Sequence, residues 1–384
     1  MQLINFDTAT FLRDNWQKKP LLIKNSWAAW SDPLEPDDLA GLACEEGVES
    51  RLITQTTADG GWVVEHGPLG EERFGQLGDK QWTLLVQAVD HYVPSVAALI
   101  EPFRFIPNWR IDDVMVSYAT QGGGVGPHFD QYDVFLIQGA GQRRWQIGAV
   151  CDSGTATLPH EDLRLLADFE VTEEWICEPG DILYVPPGFS HNGVAVSDHC
   201  MTYSVGFRAP SRSELIGDWV DDMLAEMKDD DRYNDPQLTA QDNPGEIRQD
   251  AVDALHKMVT DKMADRVAFA RWFGEYSSTP KYPDTDWGAE ETASVEHLRE
   301  IHTSGQSLVR NPASRFAFIR QPDYSLLLFV DGEPFPCTDS KAIAFAESLC
   351  AQDRIALNQE LIQSEDVMVL VTTFYNQGSL TFDL

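Results

Sequence analysis

Apolar and polar positions change rhythm three times along the chain. Between about 110 and 210, short runs such as "DVMVSYAT", "DVFLIQG", "RRWQIG", "EEWICEPGDILYVPPG", "HNGVAV" and "MTYSVGFRA" are separated by Gly and Pro. Many short strands with regular turns predict a barrel or jelly roll. Upstream, "PLLIKNSWAAW" predicts a strand after Pro20 and "PLEPDDLAGLACEEG" a helix opened by acidic residues. In "QWTLLVQAVDHYVPSVAALI", Leu84, Val86, Val89 and Val93 lie roughly along one helical face, so this segment is predicted helical.

After "APSRSE" the period becomes helical. "ELIGDWVDDMLAEMKDDDRY" and "EIRQDAVDALHKMVTDKMADRVAFARWFGEY" carry apolar residues at helix spacing, with the polar turn "NDPQLTAQDNPG" between them. "SSTPKYPDTDWGAEETAS" predicts a linker or arm. In the last seventy or so residues, "SRFAFIR" with "YSLLLFVDGEPF" predicts a hairpin and "SKAIAFAESLCAQ" a helix. "DVMVLVTTFYNQGSLTFDL" reads as terminal strands. Helix with flanking hairpin is compatible with a winged-helix module, although Lys and Arg are too sparse there for a DNA reader.

Composition narrows the function. A formal net charge of −34 over 384 residues disfavours nucleic acid, whose phosphates need clustered Lys and Arg, and favours a basic partner. The six cysteines form no C-x-x-C pair, which fits reduced thiols in the cytoplasm. "MQLINFDTATFLRDNW" lacks the basic and apolar blocks of a signal peptide, and no apolar stretch approaches a membrane span.

The chemistry gathers around "GPHFDQYDVFLIQGAGQRRWQIG" (126–148), where His128, Asp130 and Asp133 lead into an apolar strand. Burying charged groups costs several kcal/mol or more unless a partner compensates. In extended chain i and i+2 share a face, so His128 and Asp130 point the same way. His191, delivered by the stiff "PGDILYVPPGFS" segment, is the best third ligand. Two His and one carboxylate with open positions suit non-haem Fe(II). A second triplet, "HED" at 160–162, precedes the helix-like "LRLLADF", where i and i+2 do not share a face, and is set aside. After "QGAG" the chain is expected to reverse, bringing "RRWQIG" beside "YDVFLIQG". Arg143 shares parity with Trp145 and Ile147 and so points inward, whereas Arg144 points out. An interior guanidinium needs an anion, and a dicarboxylate cosubstrate would supply one. "GGGVG" lacks the Lys-Ser/Thr of a phosphate loop, and "GFSHN" misses the second Gly of a nucleophile elbow. The remaining histidines have no partner at ligand spacing.

"GGGVGPHFDQYDVFLIQGAGQRRWQIG", "EPGDILYVPPGFSHNGVA" and "NWQKKPLLIKN" resemble the cupin-fold JmjC oxygenases, and more closely the bacterial ribosomal oxygenases. The resemblance implies an α+β chain in three parts. A JmjC oxygenase domain, a double-stranded β-helix (jelly-roll) with its β-core at about 110–210, would occupy 1–210. A helical dimerisation region at 211–305 and a winged-helix-like domain at 306–384 would follow. It implies iron ligands at His128, Asp130 and His191, and 2-oxoglutarate on Arg143, with Ser117, Tyr118 or Ser204 open as further contacts. It also implies a cytoplasmic homodimer consuming 2-oxoglutarate and dioxygen. The reaction would be C-3 hydroxylation of an arginine in a basic large-subunit ribosomal protein, the sixteenth in bacterial nomenclature. The alternatives are a JmjC-type oxygenase acting on another protein or a small molecule, and a non-catalytic acidic scaffold.

Overall fold

The structure, a computed structural model, describes residues 2–55, 61–228, 230–289, 291–302 and 306–383. Chain contacts divide it into two compact units. One comprises Met1–Ala209, Asp284–Asp286 and Asn311–Ala313; the other takes Pro210–Pro283, Trp287–Arg310 and Ser314–Leu384. The boundary expected after residue 305 falls on 303–305, outside the described residues.

In the first unit the helices are α1 (Thr8–Asp14), α2 (Pro36–Leu42), α3 (Glu71–Phe74) and α4 (Pro94–Ala97). The strands are β1 (Leu21–Ile23), β2 (Ser50–Gln55), β3 (Trp62–His66), β4 (Trp82–Val86), β5 (Ile111–Ala119) and β6 (Val134–Gln138). They continue with β7 (Arg143–Val150), β8 (Glu173–Cys177), β9 (Ile182–Val185), β10 (Phe189–Ala195) and β11 (Cys200–Phe207). Among the described residues these make an eight-stranded sheet, β1-β9-β6-β11-β5-β4-β2-β3, and a three-stranded sheet, β10-β7-β8.

The larger sheet is covered on both sides, which explains why β6 is buried throughout and apolar over its first four residues. Phe135 and Ile137 pack with Phe11, Phe103, Tyr184 and Tyr203. Val134 and Leu136 pack the other way, on Trp145 and Ile147 of β7 and Cys177 of β8. The two sheets therefore share an interior, the double-stranded β-helix expected.

Three local expectations for this unit fail. The segment from Trp82 is not a helix but β4, hydrogen-bonded between β2 and β5 and followed by a short 3-10 turn at Val89–His91 and by α4. A strand buried on both faces has no period of two, so its apolar spacing mimics a helix. The predicted β6–β7 hairpin does not form either. β6 pairs with β9 and β11, β7 with β10 and β8, and "QGAG" carries the chain from one sheet to the other. Finally, "LRLLADF" is irregular chain, not helix.

In the second unit α5 (Arg212–Glu226), α6 (Gln249–Met263), α7 (Arg266–Ser278) and α8 (Val295–Ile301) precede β12 (Ser307–Arg310). The hairpin strands β13 (Phe316–Arg320), β14 (Leu326–Val330) and β15 (Glu333–Cys337) pair as predicted. They lead to α9 (Ser340–Ala351), β16 (Arg354–Ala356), α10 (Gln359–Ile362), α11 (Glu365–Asn376) and β17 (Leu380–Phe382). "DVMVLVTTFYN", expected as strand, is the helix α11. It buries Val367, Met368, Leu370, Val371 and Phe374, a helical stripe, and Ser364 caps its start. β-branched content misled there, because packing overrides propensity.

Candidate metal centre

The glycine run before His128 is built for close approach. A Cβ on Gly124 would lie 2.4 Å from the Gly193 carbonyl oxygen, and one on Gly193 2.5 Å from the Trp145 ring. Gly122 and Gly126 hold φ of +81° and +80°, the left-handed region open to Gly. The run thus seats its chain against β10. His128 follows, lying not in a continuous strand but in a single antiparallel bridge with His191. The His128 N–H donates to the His191 carbonyl at 3.0 Å and the His191 N–H to the His128 carbonyl at 2.8 Å. Gly188 N–H, in the "PPG" turn, donates to the Asp130 carbonyl at 2.7 Å. The three predicted residues are thereby tied together by backbone.

Their side chains converge. Asp130 Oδ2 lies 3.6 Å from His191 Nε2 and 4.0 Å from His128 Nε2, and one potential donor atom from each residue lies within 4.8 Å of the others. Each Nδ1 is engaged by a carbonyl, His128 by Gly126 at 2.8 Å and His191 by Phe189 at 3.0 Å. A carbonyl can only accept, so both Nδ1 atoms carry the proton and both Nε2 lone pairs face the shared point. Burial, and then His128 beside it, pushes the His191 imidazole down to about 4, so it is neutral at pH 7. Two imidazoles and one carboxylate on one side of a point form a donor set for a divalent cation with positions left open.

Arg143 is 4% exposed, as its parity with Trp145 and Ile147 predicts, while Arg144 is only half-buried. In the β10–β7 ladder His191 stands opposite Ile147, Gly193 opposite Trp145 and Ala195 opposite Arg143. The guanidinium thus starts two same-face steps from His191. Its carbon sits 5.7 Å from the Trp145 ring centroid, and Nη2 donates to Ser117 Oγ at 3.4 Å. No carboxylate of the described residues pairs with it, and its Nε has no acceptor. (Arg144 Nε also lacks one, at the outer face.) A buried cation without a counter-ion is costly, so the pocket suits an anion. Of the three further contacts left open, Ser117 touches Arg143 and Ser204 is buried on β11, whereas the Tyr118 hydroxyl meets His199 Nδ1 at 2.9 Å.

The other acidic and histidine motifs have structural partners. Asp133, fully buried, accepts from Tyr184, Gln17 and Arg110, and Asp181 accepts from Lys24, Asn25 and Glu178. The "HED" triplet is excluded by its contacts, not by a helix. His160 Nε2 pairs with the Trp62 carbonyl, Nδ1 accepts from the Asp162 and Leu163 N–H groups, and His66 takes the Asp162 carboxylate at 2.9 Å.

A double-stranded β-helix with two imidazoles and a carboxylate between its sheets is the arrangement of cupin-fold metal proteins. The JmjC domain model matches residues 98–215, and the ROXA-like winged helix model residues 261–381. The chain is 40% identical over 332 residues to the ribosomal protein uL16 3-hydroxylase of Escherichia coli, spanning 86% of this chain and 87% of that one. It is 40% identical over 269 residues to a probable ribosomal oxygenase of Haemophilus influenzae, across 68% and 66% of the two chains. The solved structure of the E. coli ribosomal oxygenase YcfD in complex with cobalt and 2-oxoglutarate superposes with a TM-score of 0.86 at 35% identity, covering 100% of this chain and 99% of that one. This chain belongs to the ribosomal oxygenase family.

Proposed function

We propose that the protein is an Fe(II)- and 2-oxoglutarate-dependent hydroxylase that places a hydroxyl on C-3 of an arginine in a basic large-subunit ribosomal protein. The observation that carries this is the convergence of His128, Asp130 and His191 in one shared interior with a buried guanidinium that lacks a carboxylate. Its close relative is named for 3-hydroxylation of uL16, and a relative of the same fold holds cobalt with 2-oxoglutarate.

His128 and His191 would give Nε2 lone pairs and Asp130 a carboxylate oxygen to the metal. Arg143 would hold the distal carboxylate of 2-oxoglutarate by charge-assisted hydrogen bonds, with Ser117 at its side. When bound, iron with 2-oxoglutarate and dioxygen supplies C–H hydroxylation, one oxygen going to substrate and the other to succinate as CO2 leaves. Trp145, Ile147, Leu136 and Leu183 keep water from the interior. The acidic surface draws a Lys- and Arg-rich partner and loses affinity as salt rises.

The three-part division at 1–210, 211–305 and 306–384 accompanies this reading. So does a homodimer through the helical region. α6 buries no residue, and Val252, Leu255, Val259 and Met263 line one face with exposures of 43, 44, 61 and 41%, which supports a covering partner. A cytoplasmic site of action accompanies this reading, since the relative it resembles is named for a ribosomal protein substrate; no helix of the described residues is long and apolar enough to cross a membrane. The test is incubation with iron, 2-oxoglutarate and the basic ribosomal protein. One oxygen added at an arginine, absent with Asp130→Ala, is expected. Robust succinate release on another substrate, with that arginine untouched, would reject the assignment.

A further inference from the structure

We propose that Asp133, caged by Gln17, Arg110 and Tyr184, is a positioning residue that fixes the carboxylate of Asp130. The inference rests on reading His128, Asp130 and His191 as metal ligands. Asp133 is 0% exposed, yet its carboxylate takes three donors from distant parts of the first unit. Tyr184 O–H donates to Oδ1 at 2.6 Å, while Gln17 Nε2 and Arg110 Nη2 donate to Oδ2 at 2.9 and 3.1 Å. The donors are themselves locked. Gln17 N–H donates to the Tyr184 oxygen at 2.8 Å, Trp16 stacks on Tyr184 with centroids 5.7 Å apart, and the Arg110 guanidinium lies 5.6 Å from the Trp16 centroid. Gln17 holds φ of +55°, which aims both its N–H and its amide at the cage.

The place of the cage in the chain gives it a task. Asp130 sits on a short span whose near end is held at its own carbonyl by Gly188. The next two residues, Gln131 and Tyr132, are exposed, and the far end is Asp133 itself. An apolar residue could lead into β6 without the desolvation cost of a carboxylate, and replacing buried ion pairs by apolar groups is often neutral for stability. A charge retained there specifies a geometry. A partner hydrogen-bonded to a ligating group orients it, and its loss typically weakens metal binding about 10–100-fold; Asp133 acts one step further out, through the chain that carries Asp130, so the lower end of that range applies. The "NWQKKP" motif, which has no contact with the triad, thereby acquires a role at the metal.

The test is Mn2+ binding to the full chain, followed by the electron paramagnetic resonance signal of the free ion, with thermal unfolding in parallel. Asp133→Asn is expected to weaken Mn2+ binding about tenfold. Gln17→Asn, which tolerates the left-handed backbone but is too short to reach, should weaken it less in the same direction. Tyr203→Phe, which strips from Asp32 the side-chain donor it has among the described residues, should lower the unfolding temperature and leave Mn2+ affinity within about twofold. Lowered stability with unchanged affinity in both Asp133→Asn and Gln17→Asn would overturn the proposal; should Asp133→Asn not fold, Gln17→Asn decides. Wild-type affinity in Asp130→Ala would instead overturn the ligand reading itself, as would absence of Mn2+ uptake by the wild type.

Discussion

His128 and His191 face each other across one antiparallel bridge, each backbone N–H donating to the other's carbonyl, at 3.0 and 2.8 Å. The bridge does not depend on the imidazoles. His191→Ala should therefore fold and keep the bridge while losing the divalent cation. Ligand binding stabilises the native state by mass action, by about 2.7 kcal/mol at a hundredfold excess over Kd. Saturating Mn2+ should raise the unfolding temperature of the wild type and leave that of His191→Ala unmoved. An equal rise in both would place the cation elsewhere.

Arg143 separates stability from function. Its guanidinium is buried and donates to Ser117, and no carboxylate of the described residues meets it. Arg143→Met removes an uncompensated charge and should hold or raise the unfolding temperature of the ligand-free protein. A hydrogen-bonded charge contributes about 1.5–3 kcal/mol, so the KM for 2-oxoglutarate should rise roughly 10–100-fold. Succinate release against cosubstrate concentration gives the number. An unchanged KM would remove Arg143 from the cosubstrate pocket.

Gly193 leaves room for the Trp145 ring between His191 and Arg143. A Cβ there would stand 2.5–2.9 Å from three ring carbons. Gly193→Ala should cost about 1–3 kcal/mol by overpacking and push β10 off β7, carrying His191 with it. Lower thermal stability together with weaker Mn2+ binding is the expected pair of results. Full metal affinity despite the lower stability would mean that the ring gives way and the strand does not.

The site was more legible than its scaffolding. Parity alone put Arg143 inside and Arg144 nearer solvent, and their exposures agree, because side-chain direction in a strand is a local property. Strand pairing is not local. The turn in "QGAG" looked like a hairpin, yet β7 joins the other sheet, since residues 26 to 52 positions away complete its ladders. β4 and α11 failed for related reasons: a strand covered on both faces loses its alternation, and valines that favour strands can still line a helix stripe. Asp133 was visible as an anomaly but not as a cage. Its donors come from positions 17, 110 and 184, and no spacing rule joins them.

Asp32 supplies a pH signature away from the metal. Its carboxylate is half-buried, with Oδ1 receiving the Tyr203 hydroxyl and Oδ2 lacking any partner among the described residues. Burial raises its pKa above the ordinary value, and the hydrogen bonds from Tyr203 and Leu34 offset this only in part. A folded-state pKa above the unfolded one means that the native protein keeps a proton the unfolded chain releases. That contribution is complete below the unfolded value and is lost as pH climbs through the folded value. At pH 7 the ionised group is thus a net burden, and Asp32→Asn retains the acceptor for Tyr203 without the charge. The variant should unfold at a higher temperature than the wild type at pH 7, and the gap should close as pH falls into the carboxylate range. Taking the difference between the two proteins cancels the many other carboxylates of this acidic chain. A variant less stable at pH 7, by an amount constant across pH, would show that the carboxylate stabilises the fold in its charged form.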